Sequence, residues 1–319
     1  MPNIAGNKML KHLDRVAGKH LPITADVFLT NYCNNKCPYC TYRRWELDAG
    51  AYAMSFDEFV QYAERMQQLG VLGFILTGGG EPTLAPDFLK ITAWLESQNI
   101  HYGMNTNFNN LVLCKPDYLK VSLDGYDEDS YEKNRGVRKY EAVKQNIEAY
   151  YRWKCKNSPR TTLGIQKMVE SVTEAVRFYE ANKDLPVDYI VFRPRESTAG
   201  RYYKDPDRQD EAEAIVKAVA GMRVSDQRVC LNFKWTMLGQ HEKTCSAQWA
   251  QIAVNERGQV MYCCHKPYEI VGHVLDADIL EKKAAFKTNM ALCDIPCRMT
   301  APNSFVAAAE GSMKDASFI

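Results

Sequence analysis

The chain has 319 residues, 46% of them hydrophobic, with 40 Lys plus Arg against 39 Asp plus Glu. At ~150 residues per domain this is one large domain, or one with a smaller partner, and the apolar fraction excludes a disordered chain. The net charge of +1 excludes a globally basic nucleic-acid coat, and no apolar run approaches the ~18 residues of a membrane helix.

Residues 1–20 alternate apolar and charged positions without the apolar centre of a signal peptide. Residues 1–24 therefore read as an N-terminal helical segment, and the chain as cytoplasmic. Residues 25–30 (ADVFLT) form a short apolar strand. Ser55-Phe-Asp-Glu58 is a capping-box helix start, after which Phe56, Phe59, Val60, Ala63 and Met66 recur at helical spacing until Gly70. Residues 73–76 are a buried-type strand ending in Thr77-Gly-Gly-Gly80. A helix over 88–98 follows, then strands over 101–105 and 118–123 with no helical run between them, so one crossover is shortened. Residues 141–153 are helical and 161–169 a strand. Ser171-Val-Thr-Glu174 caps a further helix, and 188–192 is a sixth strand. This alternation predicts a parallel sheet with right-handed crossovers. The fold class is α/β, a partial (β/α)6 TIM-like barrel over residues 25–205. Residues 197–210 read as linker or loop and 211–222 as helix, and a linker helix and connection span 206–243. From 244 to 319 the segments are short, and 258–264 reads as a β-hairpin with a cysteine at its end.

Eleven cysteines in a reducing cytosol are metal ligands or catalytic thiols rather than disulfides. Cys33, Cys37 and Cys40 form a CxxxCxxC sequence on the loop after the first strand, the end at which barrels place their chemistry. Three thiolates can hold three irons of a [4Fe–4S] cube and leave the fourth iron open. A zinc site wants a fourth protein ligand, and His20 is far upstream. Alone, the triple glycine is a tight turn. One strand after the triad, it reads as backbone brought close to a ligand.

The triad and Thr77-Gly78-Gly79-Gly80-Glu81-Pro82 together resemble the radical S-adenosylmethionine (SAM) superfamily and its GGE motif. The resemblance implies that Cys33, Cys37 and Cys40 hold a [4Fe–4S] cluster. It also implies that Gly78, Gly79, Gly80 and Glu81 bind the SAM amino group. Tyr39 matches the aromatic residue near the adenine. Asn107 and Ser122, at the ends of the third and fourth strands, match polar residues that bind the ribose and carboxylate. Arg135 would clamp a carboxylate, with a solvated loop charge as its plain alternative. Asp124, Arg193 and Arg195 are further residues at strand ends that could face SAM or substrate.

Cys245, twelve residues, Gly258, four residues and Cys263, with Cys293 and Cys297 later, resemble the signature of the SPASM/twitch extension of that superfamily. The implied ligands of one auxiliary [4Fe–4S] cluster are Cys245, Cys263, Cys293 and Cys297. The last pair is separated by three residues where the family often has two. A zinc ribbon would use the same residues. Cys264 is spare. It reads as a small buried residue, as a replacement ligand, or as a thiol that donates a hydrogen atom to a product radical. Cys114, Cys155 and Cys230 read as structural.

The resemblance implies reductive cleavage of SAM to a 5′-deoxyadenosyl radical, which takes a hydrogen atom from the substrate. Oxidation or epimerisation follows, with flavodoxin or ferredoxin as electron donor. Only 32 residues precede Cys33, too few for a peptide-recognition domain, so a small sugar-like or aminocyclitol-like substrate ranks first. Modification of a ribosomal peptide (cross-link, epimerisation or maturation) ranks second and nucleic acid third. A non-catalytic zinc or iron–sulfur binding protein is the reading from another class.

Overall fold

The computed structural model describes residues 11–40, 42, 50–194, 206–232, 235, 244–290, 303 and 306, with 206–209 and 247 described in their backbone alone. After a one-turn helix α1 (Leu13–Val16), β1 (Thr24–Val27) opens the sheet. Helix α2 (Phe56–Gln68) starts at Ser55, whose hydroxyl accepts from the Glu58 N–H while the Glu58 carboxylate accepts from the Ser55 N–H. That reciprocal cap contributes about 1 kcal/mol and fixes the helix start where the sequence placed it. Strand β2 (Gly73–Leu76), helix α3 (Phe88–Ser97), β3 (His101–Thr106) and β4 (Tyr118–Ser122) follow. Among the described residues no helix joins β3 to β4, so that crossover is indeed shortened.

Helix α4 (Glu128–Arg135) is absent from the expected elements. Its sequence, EDSYEKNR, carries no apolar stripe for a periodicity reading to find. It forms because Asp127 and Ser130 make a capping box and Gly136 ends it in the left-handed region. Beyond it lie α5 (Tyr140–Asn157), β5 (Thr162–Val169), α6 (Val172–Asn182), capped by Ser171, and β6 (Tyr189–Pro194). Helix α7 (Pro206–Ser225) begins inside the stretch read as loop, with proline at its first position, where a missing N–H costs nothing. It feeds β7 (Val229–Leu231), which pairs parallel with β6.

The sheet runs β10-β9-β8-β1-β2-β3-β4-β5-β6-β7, and β1 to β7 are parallel neighbours. Among the described residues the partial barrel thus has the six expected strands and a seventh. The C-terminal hairpin joins the same sheet. Strand β8 (Gln251–Val254) pairs parallel with β1, Thr24 opposite Gln251 and Val27 opposite Val254. Strands β9 (Gln259–Met261) and β10 (Ile270–His273) pair antiparallel beyond it, and α8 (Ile279–Ala285) follows.

The core lies between one face of the sheet and the helices. Ala25, Val27, Phe74, Leu76, Met104, Val121, Ile165 and Phe192 alternate along the strands and meet Phe59 and Met66 of α2, Ile91 of α3, Ile147 of α5 and Phe178 of α6. Alternation then forces Asp26, Ile75, Gly103 and Tyr118, which are in register, onto the inner face. Strands β1 to β7 all end at one rim, where the triad loop, the glycine loop, Asn107 and Asp124 emerge. Among the described residues no helix is long and apolar enough to cross a membrane.

Candidate functional site

Backbone hydrogen bonds lay the glycine loop directly on the triad loop. The Gly80 N–H donates to the Thr30 carbonyl at 2.7 Å, and the Glu81 N–H to the Tyr32 carbonyl at 2.8 Å. Gly78 and Gly79 have φ of +63° and +50°, in the left-handed region. A Cβ on Gly80 would lie 1.9 Å from the Tyr32 carbonyl oxygen, and one on Gly78 would lie 1.8 Å from the Phe28 ring. The three glycines are therefore dictated by close approach of two loops and a ring.

Glu81 is buried and spends its carboxylate inside the protein. One oxygen accepts from the Thr106 hydroxyl and the Thr83 hydroxyl, the other from the Asn107 N–H at 2.7 Å. Burial pushes its carboxyl up, against the pull of those hydrogen bonds. Its side chain clasps the ends of β2 and β3 together, and its backbone N–H meets the triad loop. Asn107 continues the clasp, donating to the Asn34 side-chain carbonyl at 2.7 Å, with the same nitrogen 3.9 Å from Cys33 Sγ. Asn109 donates to Asn35 in the same way. Thr106, Asn34, Asn35 and Asn109 were not singled out in the sequence. The Asn34-Asn35 pair inside CxxxCxxC was the signal available.

Arg135 closes the other side. Its Nη1 lies 3.4 Å from Cys37 Sγ, and its Nη2 pairs with Asp124 Oδ2 at 2.8 Å and donates to the Ser122 carbonyl. The plain reading as a solvated loop charge is thus overturned. The Tyr39 hydroxyl donates to the same Asp124 oxygen at 3.3 Å, and the Met168 N–H holds the other at 2.6 Å. Burial and the Asp124 carboxylate push the Tyr39 phenol well up, so it remains a neutral donor. Asp124 is therefore spent on Arg135, Tyr39 and β5. Ser122 stands in register with Gln166, and Arg193 donates to Gln166 at 3.2 Å. Arg195 lies outside the described residues.

Cys33, Cys37 and Cys40 are half-buried. Burial pushes the Cys33 thiol up to about 11, against one N–H from Asn35, and Glu81, Cys37 and Cys40 add to the rise through their charges. Such a thiol becomes a thiolate when a metal takes the proton's place. The surroundings suit thiolates: the Asn35 N–H lies 3.4 Å from Cys33 Sγ, and the Arg135 guanidinium faces Cys37. Among the described residues no three His, Cys, Asp or Glu side chains converge on a single ion. A [4Fe–4S] cube asks instead for thiolates spread over separate irons, as one loop can offer. The residues present fit that group.

The second cysteine set is described in part. Cys245 precedes the short turn that leads into β8, Cys263 and Cys264 follow β9, and Cys293 and Cys297 lie outside the described residues. Cys263 Sγ accepts from the His265 N–H at 3.5 Å. Cys264 packs with Tyr42 and Ile270 against Phe28, Ala253 and Met261. The Tyr42 hydroxyl, two residues past Cys40, donates to the Cys264 carbonyl at 2.6 Å. Lys283 of α8 is buried and donates to the Gln248 and Gln251 carbonyls. Burial lowers its value to about 8, and charges on Cys263, Cys245 and Cys264 oppose that fall.

Comparison with known proteins agrees with this geometry. Residues 27–179 match the family model of the Radical SAM superfamily. Over 257 residues the chain is 24% identical to a PqqA peptide cyclase of Methylorubrum extorquens, covering 74% of this chain and 64% of that protein. It is 27% identical over 154 residues to the mycofactocin maturase MftC of Mycobacterium tuberculosis, covering 44% and 38% of the two chains. The fold is similar to that of Streptococcus suis SuiB bound to its precursor peptide SuiA, with a TM-score of 0.63 at 15% identity over 86% of this chain and 67% of that one. The chain therefore spans less than two-thirds of the length of the peptide cyclase it resembles. Residues 27–179 of this chain are thus a Radical SAM domain by sequence, and the cofactors of that superfamily are a [4Fe–4S] cluster and S-adenosylmethionine.

Proposed function

We propose that the chain is a radical SAM enzyme that modifies a peptide. When bound at the triad, the cluster and SAM supply a 5′-deoxyadenosyl radical for hydrogen abstraction. The protein's part is to hold and to shield. Cys33, Cys37 and Cys40 hold the cluster. The Gly78–Gly80 backbone leaves room for the SAM amino group against the triad loop, and Tyr39, Asn107 and Ser122 border the same rim. Phe28 seals the floor under Gly78, which keeps water from that side of the cradle.

The observation that carries the peptide reading is the relatedness to a PqqA peptide cyclase over 74% of this chain. The sequence-based preference for a sugar-like small molecule gives way to it. Net oxidation or epimerisation follows from the second cysteine set, where Cys245 and Cys263, with Cys293 and Cys297, are the proposed ligands of an auxiliary [4Fe–4S] cluster. Cys264, which packs against Phe28, is proposed as the thiol that donates a hydrogen atom. A flavodoxin- or ferredoxin-type donor supplies electrons.

The test is a deuterium-transfer screen. The reconstituted protein is reduced with SAM in the presence of deuterated peptides, or of deuterated sugars and aminocyclitols, and the 5′-deoxyadenosine is examined by mass spectrometry. Deuterium carried over from the peptide pool alone supports the proposal. Deuterium from the small-molecule pool alone restores the other reading.

A further inference from the structure

Arg135 ends α4, and the turn after it is pressed onto the triad loop. The Lys36 N–H donates to the Arg135 carbonyl at 2.8 Å. Gly136 has φ of +69°, and a Cβ there would lie 2.5 Å from the Lys36 carbonyl oxygen. Only glycine lets this helix end touch the loop at Lys36, one residue before Cys37. The guanidinium then divides its fork. Nη2 is fixed by Asp124 and the Ser122 carbonyl, and Nη1 is left 3.4 Å from Cys37 Sγ. Side-chain exposure is 9% for Arg135 and 1% for Asp124, so solvent screens the pair little.

Asp124 is itself immobile. It sits at a positive φ of +47°, with one carboxylate oxygen on the Met168 N–H and its carbonyl accepting from Asn134 and Lys167. Lys167 is buried and lies 3.8 Å from Glu174, which offsets its charge. The charge ledger of this corner is then one guanidinium facing one carboxylate and one sulfur. A donor and a positive charge aimed at a cluster sulfur favour the more negative, reduced cluster.

We propose that Arg135 is a positioning residue that seats Cys37 and raises the reduction potential of the cluster through its N–H to that sulfur. This rests on the reading of Cys33, Cys37 and Cys40 as the cluster ligands. The step concerned adds one electron from a low-potential donor to the cluster and moves no proton. The division of the fork sets this role apart from a clamp on a SAM carboxylate, which acts only when SAM is bound.

The experiment is a redox titration without SAM. The full chain and its Arg135→Lys and Arg135→Gln variants are reconstituted anaerobically, assayed for iron, and poised with dithionite while the reduced-cluster EPR signal is followed. The signal of the triad site is the one lost in Cys37→Ala. Arg135→Gln is expected to shift the midpoint potential of that site to more negative values, with Arg135→Lys recovering part of the shift. Unchanged potentials at full iron content overturn the proposal, and a defect seen only after SAM is added assigns Arg135 to SAM instead. If both variants lose the cluster, Asp124→Asn decides. It keeps the N–H on sulfur and removes the opposing anion, so the potential is expected to rise, and an unchanged value overturns the proposal. Absence of any Cys37-dependent signal in the unaltered chain contradicts the cluster reading itself, a different failure.

Discussion

Cys33, Cys37 and Cys40 share one loop, whereas Cys245 and Cys263 are separated by the turn before β8 and the whole β8–β9 hairpin. The first set is local in sequence but supported from afar, by Glu81 and Asn107 after β2 and β3 and by Arg135 at the end of α4. The second is scattered in sequence, and of its proposed ligands Cys245 and Cys263 flank the β8–β9 hairpin, which joins the sheet beside β1. One site is a compact ligand motif that the barrel rim braces. The other, as proposed, would be assembled only once a hairpin has joined the sheet. The difference explains why the first is readable as a spacing and the second only as a looser pattern.

The largest expected effect separates the two outright. Cys37→Ala should abolish formation of 5′-deoxyadenosine and remove about four irons per chain. Cys245→Ala should also remove about four, yet leave SAM cleavage measurable. Iron assay and chromatography of the products check both, and loss of all iron in Cys245→Ala breaks the claim that the sites are independent. Next comes Gly80→Ala, which drives a methyl into the Tyr32 carbonyl and should cost about 1–3 kcal/mol or more in thermal denaturation. Glu81→Gln turns an acceptor into a donor facing the Asn107 N–H or the Thr106 hydroxyl. It should cost about 1–3 kcal/mol and weaken SAM binding in calorimetry.

Tyr42→Phe probes the seam between the regions. It removes the hydroxyl that holds the Cys264 carbonyl and should cost about 1 kcal/mol, with a change in the EPR signal that Cys245→Ala abolishes and none in the Cys37-dependent one. The smallest effect is Asp127→Ala at the start of α4, about 1 kcal/mol with full iron content. Hydrogen bonds from the Ser130 backbone and side chain hold the Asp127 carboxyl below its ordinary value. The stability this contributes is present above the unfolded carboxylate value of ~3.9 and is lost as pH falls through the lower folded one. An acid titration of Asp127→Ala should therefore lack that loss.

The strand–helix order was legible from β1 to β6 because apolar positions recur with periods of about 2 and 3.6, and because Ser55 and Ser171 announce their helices. Helix α4 was not, since it is held by its caps and buries Tyr131 and Arg135 from an otherwise polar sequence. The pairing of β8 with β1 was also out of reach, because a four-residue strand carries no record of its partner 227 residues away, as Asp26 opposite Ala253 shows in its simplest form. At the site, spacing and glycines identified the ligand loop and its cover. The partners that fix those residues were hidden, since Asp124 with Arg135, and Glu81 with Thr106, meet only when strand ends are brought to one rim.

The central claim is that Cys33, Cys37 and Cys40 form a SAM-cleaving centre. The most direct measurement is the yield of 5′-deoxyadenosine from SAM under anaerobic reduction, taken for the iron-loaded chain and for the variant with all three cysteines changed to alanine. The account expects 5′-deoxyadenosine from the first and none from the second. An iron-loaded chain that produces none, or a triple variant that produces as much, contradicts it.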